Sequence, residues 1–415
     1  MSEWFGVAPE QSPEVYLEGS PLDASIYGIL LAAALVVLIR RKHEVGAILR
    51  KNQPILFFVL FCAVSILWSE YPGVALKRWI KSIGDYAMIL IILSEYDHVA
   101  ALKKVLGRVS FTVIPLSILV VKYYAALGRA YAEHWAGTQY FVGLCDTKNM
   151  LGMVCLVFGL GALWRIVEVN ENPFRSRVRT YAAHGTIFGM AVWLLVLSDS
   201  KTSLSCFVLS GTLIVAHRFF HWSRRSTMLH SVMVAIVIIS VSVLFLGNNR
   251  SVLEVLGRDP TLTGRTDMWT VLLATHTNPV IGTGFESFWL GPRLGYLWTF
   301  PIVAGITEAH NGYLEMYLNL GWAGVAFLAF LLWMGYWNIL RLLELDPEAG
   351  RIRLALFVTA IIYNFTEAGF RSTDLIWIGF ITAVAVPPAR IRRVMTRRSP
   401  ARLALREQER AFHAL

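Results

Sequence analysis

The chain has 415 residues, of which 56% are hydrophobic and only 16% are charged, and its mean hydropathy is +0.54. A soluble globular domain carries nearer to about 25% charged residues, so the composition excludes an ordinary soluble enzyme and indicates an integral membrane protein. The net charge of +10 is explained more simply by basic cytoplasmic loops than by nucleic-acid binding.

Eleven apolar segments are long enough to predict transmembrane helices, because the bilayer core requires roughly 20 apolar residues per helix. In chain order the predicted spans lie near 22–39, 54–69, 79–95, 106–126, 149–167, 183–199, 203–220, 229–247, 312–339, 354–369 and 374–388. No basic segment precedes the first span, so it is not read as a signal peptide. The predicted fold is therefore an all-α polytopic membrane protein with one long, partly helical loop.

Lys/Arg-rich segments alternate with the predicted spans and define a topology. They are 40–53, 96–105, 165–182, 217–228, 340–353 and the tail 389–415. The positive-inside rule places all six in the cytoplasm, which puts the N-terminus in the periplasm and the C-terminus inside. The predicted regions are a periplasmic N-terminal segment 1–21, spans one to eight in 22–247, a periplasmic loop 248–311, spans nine to eleven in 312–388, and a basic cytoplasmic tail 389–415.

Two outer segments interrupt the apolar pattern, 127–148 and the much longer 248–310. The second contains several turn-forming pairs and an amphipathic stretch from Thr266 to Thr275. A long loop with its own helical pattern is usually functional, so the chemistry is expected outside the cytoplasm.

Cations that the topology does not require lie in the predicted outer half. They are Lys77, Arg78, Lys81, Lys201, Arg265 and Arg371. Charges near apolar spans mark substrate paths, and together these predict an anionic substrate such as a phosphate or pyrophosphate. The alternative interpretation is that they extend to lipid head groups.

His310 lies where the long loop meets the predicted ninth span, close to Glu308. The positive end of the helix dipole disfavours the protonated imidazole, which predicts a neutral general base. The alternative is a structural histidine that hydrogen-bonds the loop. The chain has no DxD, HExxH, GxSxG, Walker or GxGxxG motif, and its four cysteines show no metal spacing. No metal site or cofactor is predicted.

Several segments together resemble the O-antigen ligase and polymerase superfamily, and most of all its exopolysaccharide polymerases of the succinoglycan type. The segments are Leu256–Trp269 with its Thr263-Gly264-Arg265-Thr266, Asn278–Trp289, Ala309–Glu315, Leu320-Gly321, Thr147–Gly152 and Leu197–Thr202. Two positions depart from the family pattern. Lys201 stands where the family has an arginine, and Thr147 stands where a histidine is usual.

The resemblance implies a metal-independent, inverting glycosyltransferase of the multi-spanning class in the bacterial inner membrane. Its donor would be a glycan linked to undecaprenyl pyrophosphate, and a glycan hydroxyl would be the acceptor. It implies functional roles for Arg265 and His310. The bilayer is its setting, and a polysaccharide co-polymerase is a candidate partner.

For the mechanism, we expect cations to bind the pyrophosphate while His310 deprotonates or orients the acceptor hydroxyl. The expected pyrophosphate-binding residues are Arg265, Lys201, Arg78, Arg371 and Lys148. Those expected to contact the glycan are Asn311, Trp269, Trp289 and Glu308, although the loop aromatics would equally suit an ordinary loop core.

The acceptor separates several functions that the motifs leave open. A second lipid-linked repeat unit makes the protein a polymerase, which is the preferred interpretation. A lipid A-core acceptor makes it an O-antigen ligase, and a protein hydroxyl makes it an oligosaccharyltransferase. A transporter or flippase of a lipid-linked glycan would also explain the cations, but not the structured outer loop with its histidine.

Overall fold

The structure is a computed structural model and describes residues 21–131, 139–171, 174–220, 227, 230, 231, 235 and 261–388. The described chain is a helical bundle with one small hairpin. Its helices are α1 (Pro21–Arg40), α2 (Lys42–Lys51), α3 (Gln53–Ser65), α4 (Pro72–Ser94), α5 (His98–Tyr123), α6 (Ala125–Gly128), α7 (Lys148–Val167), α8 (Phe174–Leu197), α9 (Lys201–Phe220), α10 (Thr261–Ala274), α11 (Gly291–Leu297), α12 (Gly312–Leu345), α13 (Pro347–Tyr363) and α14 (Leu375–Val384).

The predicted fold class is confirmed. Five described helices are long and apolar enough to cross a membrane, namely α1, α5, α7, α12 and the Arg177–Leu197 part of α8. A sixth span is possible by length and composition if α2 and the segment Gln53–Trp68, which meet at 90°, are taken as one. The number of eleven spans stays a prediction. The eighth predicted span, 229–247, lies largely outside the described residues, as do residues 1–20, 248–260 and the tail 389–415.

Side chains of Asp, Thr and Asn fix where several helices begin, because they accept hydrogen bonds from the first free N–H groups. Thr147 caps α7, Asn311 caps α12, Asp346 caps α13 and Asp374 caps α14. Two of these caps, Asn311 and Asp374, directly follow loops that carry the charged residues described below.

The helix α12 is broken at Gly321, whose φ of 62° and ψ of −163° are not helical. The loop 278–288 packs at this break: Trp322 N donates to Pro279 O at 2.9 Å, and Gly284 N donates to Asn319 O at 2.8 Å. Non-helical backbone inside a membrane protein is stable where protein groups satisfy its hydrogen bonds, as they do here. The glycine of the Leu320-Gly321 pair is therefore explained by the break that it allows in α12.

Glycine is also required within that loop at Gly284. Its φ is +95°, and an added Cβ would lie 2.8 Å from Ser65 O. A side chain at this position would therefore be strained and would collide with the end of α3. The close approach carries the following residue, Phe285, and then Glu286 toward the centre of the bundle.

The main apolar core lies among α7, α9, α13 and α14, with Trp164, Phe357 and Phe380 fully buried. A second, smaller core joins α10, α11 and the start of α12, and it includes Met268, Phe288 and Trp289. The amphipathic stretch expected at Thr266–Thr275 is confirmed as a helix, since α10 spans Thr261–Ala274. This small core therefore fixes α10 beside the segment that carries His310.

The outer segment 127–148 contains a two-stranded antiparallel sheet, β1 (Arg129–Tyr131) and β2 (Gln139–Phe141). Arg129 pairs with Phe141 in its register. The hairpin leads into Thr147, so it connects α5 to the start of α7.

Candidate functional site

Glu367 is the centre of a charged site that joins four separate parts of the chain. Arg265 Nη2 donates to its Oε1 at 3.2 Å, and Asn149 Nδ2 donates to the same oxygen at 3.2 Å. His310 Nδ1 lies 3.3 Å from its Oε2. Glu367 itself is only 5% exposed, so its charge acts in a poorly solvated environment. Arg265 and His310, the two residues with implied functional roles, therefore contact the same carboxylate.

We call Arg265, Glu286, Glu308, His310, Glu367 and Arg371 the arginine–carboxylate network. It lies in the loops between α10 and α12 and between α13 and α14, apart from Arg265, which is in the second turn of α10. Arg265 also donates through Nη1 to the carbonyl of Thr366. One guanidinium therefore holds both the carboxylate and the backbone of the 364–374 loop.

That loop is fixed against the start of α12 by close packing. Gly312 N donates to Asn364 O at 2.9 Å, and a Cβ on Gly312 would lie 1.7 Å from Asn364 Oδ1. The same Asn364 oxygen accepts from Phe370 N at 2.6 Å. Gly312 is thus required by space, which explains a glycine directly after His310-Asn311.

His310 has a left-handed backbone, with φ 45°, which is uncommon for a non-glycine residue and costs free energy. Its Nδ1 lies 2.9 Å from Glu308 Oε1 as well as close to Glu367. Such a conformation persists only when its surroundings determine it, as these two carboxylates and the cap at Asn311 do.

The protonation predicted for His310 is wrong. Burial disfavours the charged imidazole, but the hydrogen bonds and charges of Glu308 and Glu367 outweigh burial and raise the pKa of His310 to about 9. At neutral pH the resting imidazole is therefore mostly protonated. The helix dipole does not decide the outcome, because two carboxylates in contact exceed the partial charge of a helix end.

Glu308 is the second partner of that imidazole. Burial favours its neutral form, but the hydrogen bond and charge of His310, together with the charge of Arg371, hold the pKa of Glu308 below its usual value. Glu308 therefore stays ionised at neutral pH and stabilises the imidazolium.

Arg371 lies among three carboxylates. Its Nη1 donates to Thr307 O at 3.3 Å and lies 3.4 Å from Glu308 Oε2, while Nη2 lies 3.8 Å from Glu286 and Nε 3.9 Å from Glu315. Burial opposes its charge, but these carboxylates outweigh burial and raise the pKa of Arg371. It is a permanent cation inside the network.

Arg78 approaches the same region from α4 by donating through Nη1 to Glu286 O at 2.5 Å. Glu286 has a left-handed backbone, with φ 50°, and its Oε1 accepts from Ser372 N at 2.9 Å. Like His310, it is a strained loop residue whose side chain joins the network.

The two upstream segments of the family resemblance, Thr147–Gly152 and Leu197–Thr202, also reach the arginine–carboxylate network. Asn149, in the first turn of α7, contacts Glu367, and Thr202, at the start of α9, bonds the Thr366 hydroxyl at 2.8 Å. Their cations lie further out: Lys148 Nζ is 3.8 Å from Asp199 Oδ2, and Lys201 is exposed. The helix ends therefore meet at the site, while Lys148 and Lys201 lie at its margin.

Three residues expected to contact a glycan have other partners here. Trp289 is 4% exposed and donates to Glu315 Oε1 at 2.7 Å, and Trp269, partly buried, donates to Ala309 O at 2.8 Å. Asn311 caps α12 through bonds from Tyr313 N and Leu314 N. In this conformation all three support the segment around His310, and Trp289 offers almost no surface for stacking.

Within the described residues, Glu308, His310 and Glu367 form a group whose ligand atoms all lie within 4.8 Å of one another. Its donor set suits a divalent cation. Arg265 bonds Glu367 and Arg371 bonds Glu308, and a proton on His310 supplies further positive charge. The negative charge of these two carboxylates is therefore already balanced by cations of the protein.

A cavity of about 30 Å³ borders the network and has room for one or two waters. Its polar end is formed by Glu286, Glu315, Arg371 and Ser372, and it continues among aromatic side chains. The aromatic residues that line it are Phe58, Trp79, Tyr86, Phe285, Phe370 and Trp377.

Sequence reasoning named Glu308 but missed Glu286, Glu367 and Asn149. It sought cations outside the cytoplasm and read 354–369 as a plain span, although α13 ends at Tyr363 and Glu367 follows it. An acidic residue inside an apolar segment is costly to bury, and this was the signal that could have identified Glu367.

The fold and the site define a class: a multi-pass α-helical membrane protein in which arginines, carboxylates and one histidine meet in loops at the ends of helices. Residues 186–329 match the family described as O-antigen ligase. The chain is also 24% identical over 320 residues to the exopolysaccharide production protein ExoQ of Rhizobium meliloti (strain 1021), covering 74% of this chain and 70% of that relative.

The chain is therefore similar to members of the O-antigen ligase and polymerase superfamily. Both matches support a membrane function of the O-antigen ligase or polymerase type. The family match covers Arg265, Glu286, Glu308 and His310, whereas Glu367 and Arg371 lie beyond its end.

Proposed function

We propose that this protein is a glycosyltransferase that joins undecaprenyl-pyrophosphate-linked oligosaccharide repeat units into an exopolysaccharide. The observation that carries the proposal is the convergence of Arg265, His310 and Asn149 on Glu367, which brings three family segments to one site. A glycosyl pyrophosphate already carries its leaving group. The enzyme must therefore stabilise departing negative charge and position a hydroxyl for attack.

Arg265 and Arg371 supply the positive charge for the pyrophosphate, and Arg78 lies on the Glu286 side of the same site. Each guanidinium has five N–H groups. Two groups of Arg265 hold Thr366 and Glu367, so the guanidinium is oriented before substrate binds. Preorganised charge of this kind does not need to reorient during the reaction. Lys148 and Lys201, at the margin, would attract the anionic donor without forming fixed contacts.

His310 is the proposed base for the acceptor hydroxyl. Glu308 and Glu367 hold its Nδ1, which leaves Nε2 for the substrate. The hydroxyl oxygen attacks the anomeric carbon, the bond to the pyrophosphate oxygen breaks, and the hydroxyl proton passes to Nε2. The carboxylates then stabilise the imidazolium that forms, as an orienting carboxylate does in a catalytic triad. In-line displacement would invert the anomeric centre.

The raised pKa of His310 gives this step a cost at neutral pH, because the resting imidazole must first lose a proton. It also gives an advantage, since a site that favours imidazolium resembles the transition state in which the proton arrives. Activity should therefore increase with pH toward about 9, the value to which the pKa is raised.

The choice of a polymerase over a ligase is supported by the ExoQ similarity over 74% of the chain. The family description favours the second candidate, an O-antigen ligase with lipid A-core as its acceptor. Both use the same donor chemistry and differ only in the acceptor. A chromosomal deletion separates them, because loss of secreted polymer indicates a polymerase and loss of O-antigen from lipopolysaccharide indicates a ligase.

We further propose that the protein lies in the bacterial inner membrane with its N-terminus and the network on the periplasmic side. The alternating basic segments support this orientation, and it puts 1–21 and 248–311 in the periplasm and the tail 389–415 in the cytoplasm.

A polysaccharide co-polymerase is the proposed partner that controls chain length. The network's own cations support catalysis without a metal, which chelator-treated enzyme would test.

The genetic experiment compares polymer in a deletion strain that expresses either the wild-type protein or His310→Ala. The expected result is high-molecular-weight polymer only with the wild type. His276→Ala is a matched control, because His276 is an exposed histidine of the same loop outside the network. Normal polymer from His310→Ala at normal protein level would contradict the role of His310.

A further inference from the structure

A second charged region lies far from the arginine–carboxylate network. It is a groove of about 670 Å³ between α5 and α8, with the end of α7 at its base. We call it the basic groove; it is lined by Lys103, Lys104, Arg108, Arg165 and His184, with Ala100, Gly107, Phe111 and Thr112. None of the described residues that line it is acidic.

The helix α7 shows that the basic groove and the network lie at opposite ends of the bundle. Asn149, in its first turn, contacts Glu367, while Arg165, in its last turn, lines the groove. Sixteen residues separate them, which is roughly 24 Å along a helix at about 1.5 Å per residue. That distance approaches the thickness of the bilayer core, so the groove lies near the other membrane surface.

Two cations of the groove form no ion pair within the described part of the chain. Lys104 and Arg108 are exposed on one face of α5, four residues apart, and neither forms an ion pair with a described residue. Lys103 differs, since it pairs with Glu348 and lies over the Trp164 ring at 5.2 Å. Like charges four residues apart repel, so this arrangement is stabilised by binding an anion.

His184 adds a hydrogen-bonding group to the wall opposite. Arg165 Nε donates to its Nε2 at 3.4 Å, and its Nδ1 is buried without a partner among the described residues. A neutral ring that accepts at Nε2 carries its proton on Nδ1, so a donor remains unused beside the groove. A buried unsatisfied donor is costly unless a ligand or water completes it.

The groove also has an apolar edge on the same helix. Phe111 is 44% exposed, and its ring meets His184 edge-on at 5.5 Å between centroids. Gly107 faces His184 across the groove, where a Cβ would lie 4.0 Å from the imidazole, so α5 and α8 approach closely there. Cations that continue into an exposed aromatic surface suit a molecule with a phosphate group and an acyl chain.

We propose that the basic groove binds the phosphate-bearing head group of an anionic membrane lipid, in the leaflet opposite the network. Lys104 and Arg108 contact the phosphate, Arg165 and His184 line the inner wall, and the acyl chains lie along Phe111 and the adjoining face of α5. Basic pockets between membrane helices bind anionic lipids through this combination of charge and apolar contact. Such a lipid stabilises the packing of α5 against α7 and α8, and its binding does not depend on the enzymatic function.

Native mass spectrometry of the full-length protein in detergent tests the proposal, with phosphatidylglycerol, cardiolipin and phosphatidylcholine as probes. The expected result is retention of the two anionic lipids and little retention of phosphatidylcholine. The double variant Lys104→Ala/Arg108→Ala should weaken anionic-lipid binding by about 10- to 30-fold, since each basic residue near a membrane surface contributes to such binding. Arg165→Gln provides a second variant on a different wall and should weaken binding by several-fold.

The matched control is Arg50→Ala/Lys51→Ala, which removes the same charge from exposed cations at the end of α2. It should bind as the wild type does. Equal loss in both double variants would overturn the proposal, because a general charge effect would then explain binding. Phosphatidylcholine binding as tight as that of phosphatidylglycerol, or inorganic phosphate binding as tight as either anionic lipid, would overturn it as well.

Discussion

The arginine–carboxylate network and the basic groove both concentrate positive charge, but they balance it differently. In the network, Arg265 and Arg371 contact carboxylates that are themselves largely buried, and His310 lies between two of them. In the groove, Lys104 and Arg108 form no ion pair with the described residues. Fixed cations with built-in counter-ions suit charge that develops during a reaction, whereas free cations suit a ligand that already carries its charge.

The strongest test of this contrast is removal of Glu367. Glu367→Ala leaves Arg265, Asn149 and His310 without their shared partner, and activity should fall about 100- to 1,000-fold. Coupling of lipid-linked repeat units by purified protein measures the effect. An alanine variant with normal turnover would show that the network does not act as a unit.

Glu367→Gln separates positioning from general damage, because it keeps the shape and loses the charge. Loss of one carboxylate should lower the pKa of His310 from about 9 toward its usual range. The pH at which activity reaches its plateau should move down accordingly. An unchanged pH profile would exclude Glu367 as the residue that sets the protonation of His310.

The wild-type pH profile follows from the direction in which the pKa of His310 is shifted. In the proposed mechanism the active base is neutral His310, and the neutral fraction increases with pH until the raised pKa is passed. Turnover should therefore increase about tenfold per pH unit well below the pKa of His310, reach half its maximum near pH 9 and level off above that pH. His310→Ala should remove this dependence together with about 100-fold or more of the rate. A rate that falls over the same range would instead assign His310 a role as a permanent cation.

Arg265→Lys keeps the charge but loses the planar fork that holds Thr366 and Glu367 and that is proposed to hold the donor. We expect turnover to fall about 10- to 100-fold. Arg41→Lys is the matched control, because Arg41 also bonds a glutamate, Glu95, but does so outside the network. Equal turnover in the two variants would contradict bidentate recognition by Arg265.

The smallest effect is expected at Lys201, the position where the family pattern has arginine. Its side chain is exposed, so Lys201→Ala should raise the KM for the lipid-linked donor only a few-fold and leave kcat nearly unchanged. Steady-state kinetics at low and high salt provide the check. A large fall in kcat would place Lys201 inside the reacting site.

The fold class was readable from the sequence, because long apolar segments follow directly from the physics of a bilayer. Arg265 and His310 were both named as candidate functional residues, since both lie in segments with a family pattern. The role of Glu367 was not predicted, because its partners are 57 and 102 residues away along the chain. Trp289 shows the converse, as an aromatic in a loop looks like a sugar platform until its burial is known.

The protonation of His310 illustrates a further limit of sequence reasoning. The helix start at Gly312 was predictable and suggested a neutral imidazole. Two carboxylates reverse this expectation: Glu308, two residues before His310, and Glu367, which only the folded chain brings near.

The most direct test of the central claim uses purified protein in detergent with lipid-linked repeat units and a chelator. The network predicts that the wild-type protein forms a ladder of longer lipid-linked glycans and releases undecaprenyl pyrophosphate, while His310→Ala forms neither. If the wild-type protein and His310→Ala both form no ladder, the result would contradict the account. It would fit a transporter instead, since a transporter needs no coupling chemistry.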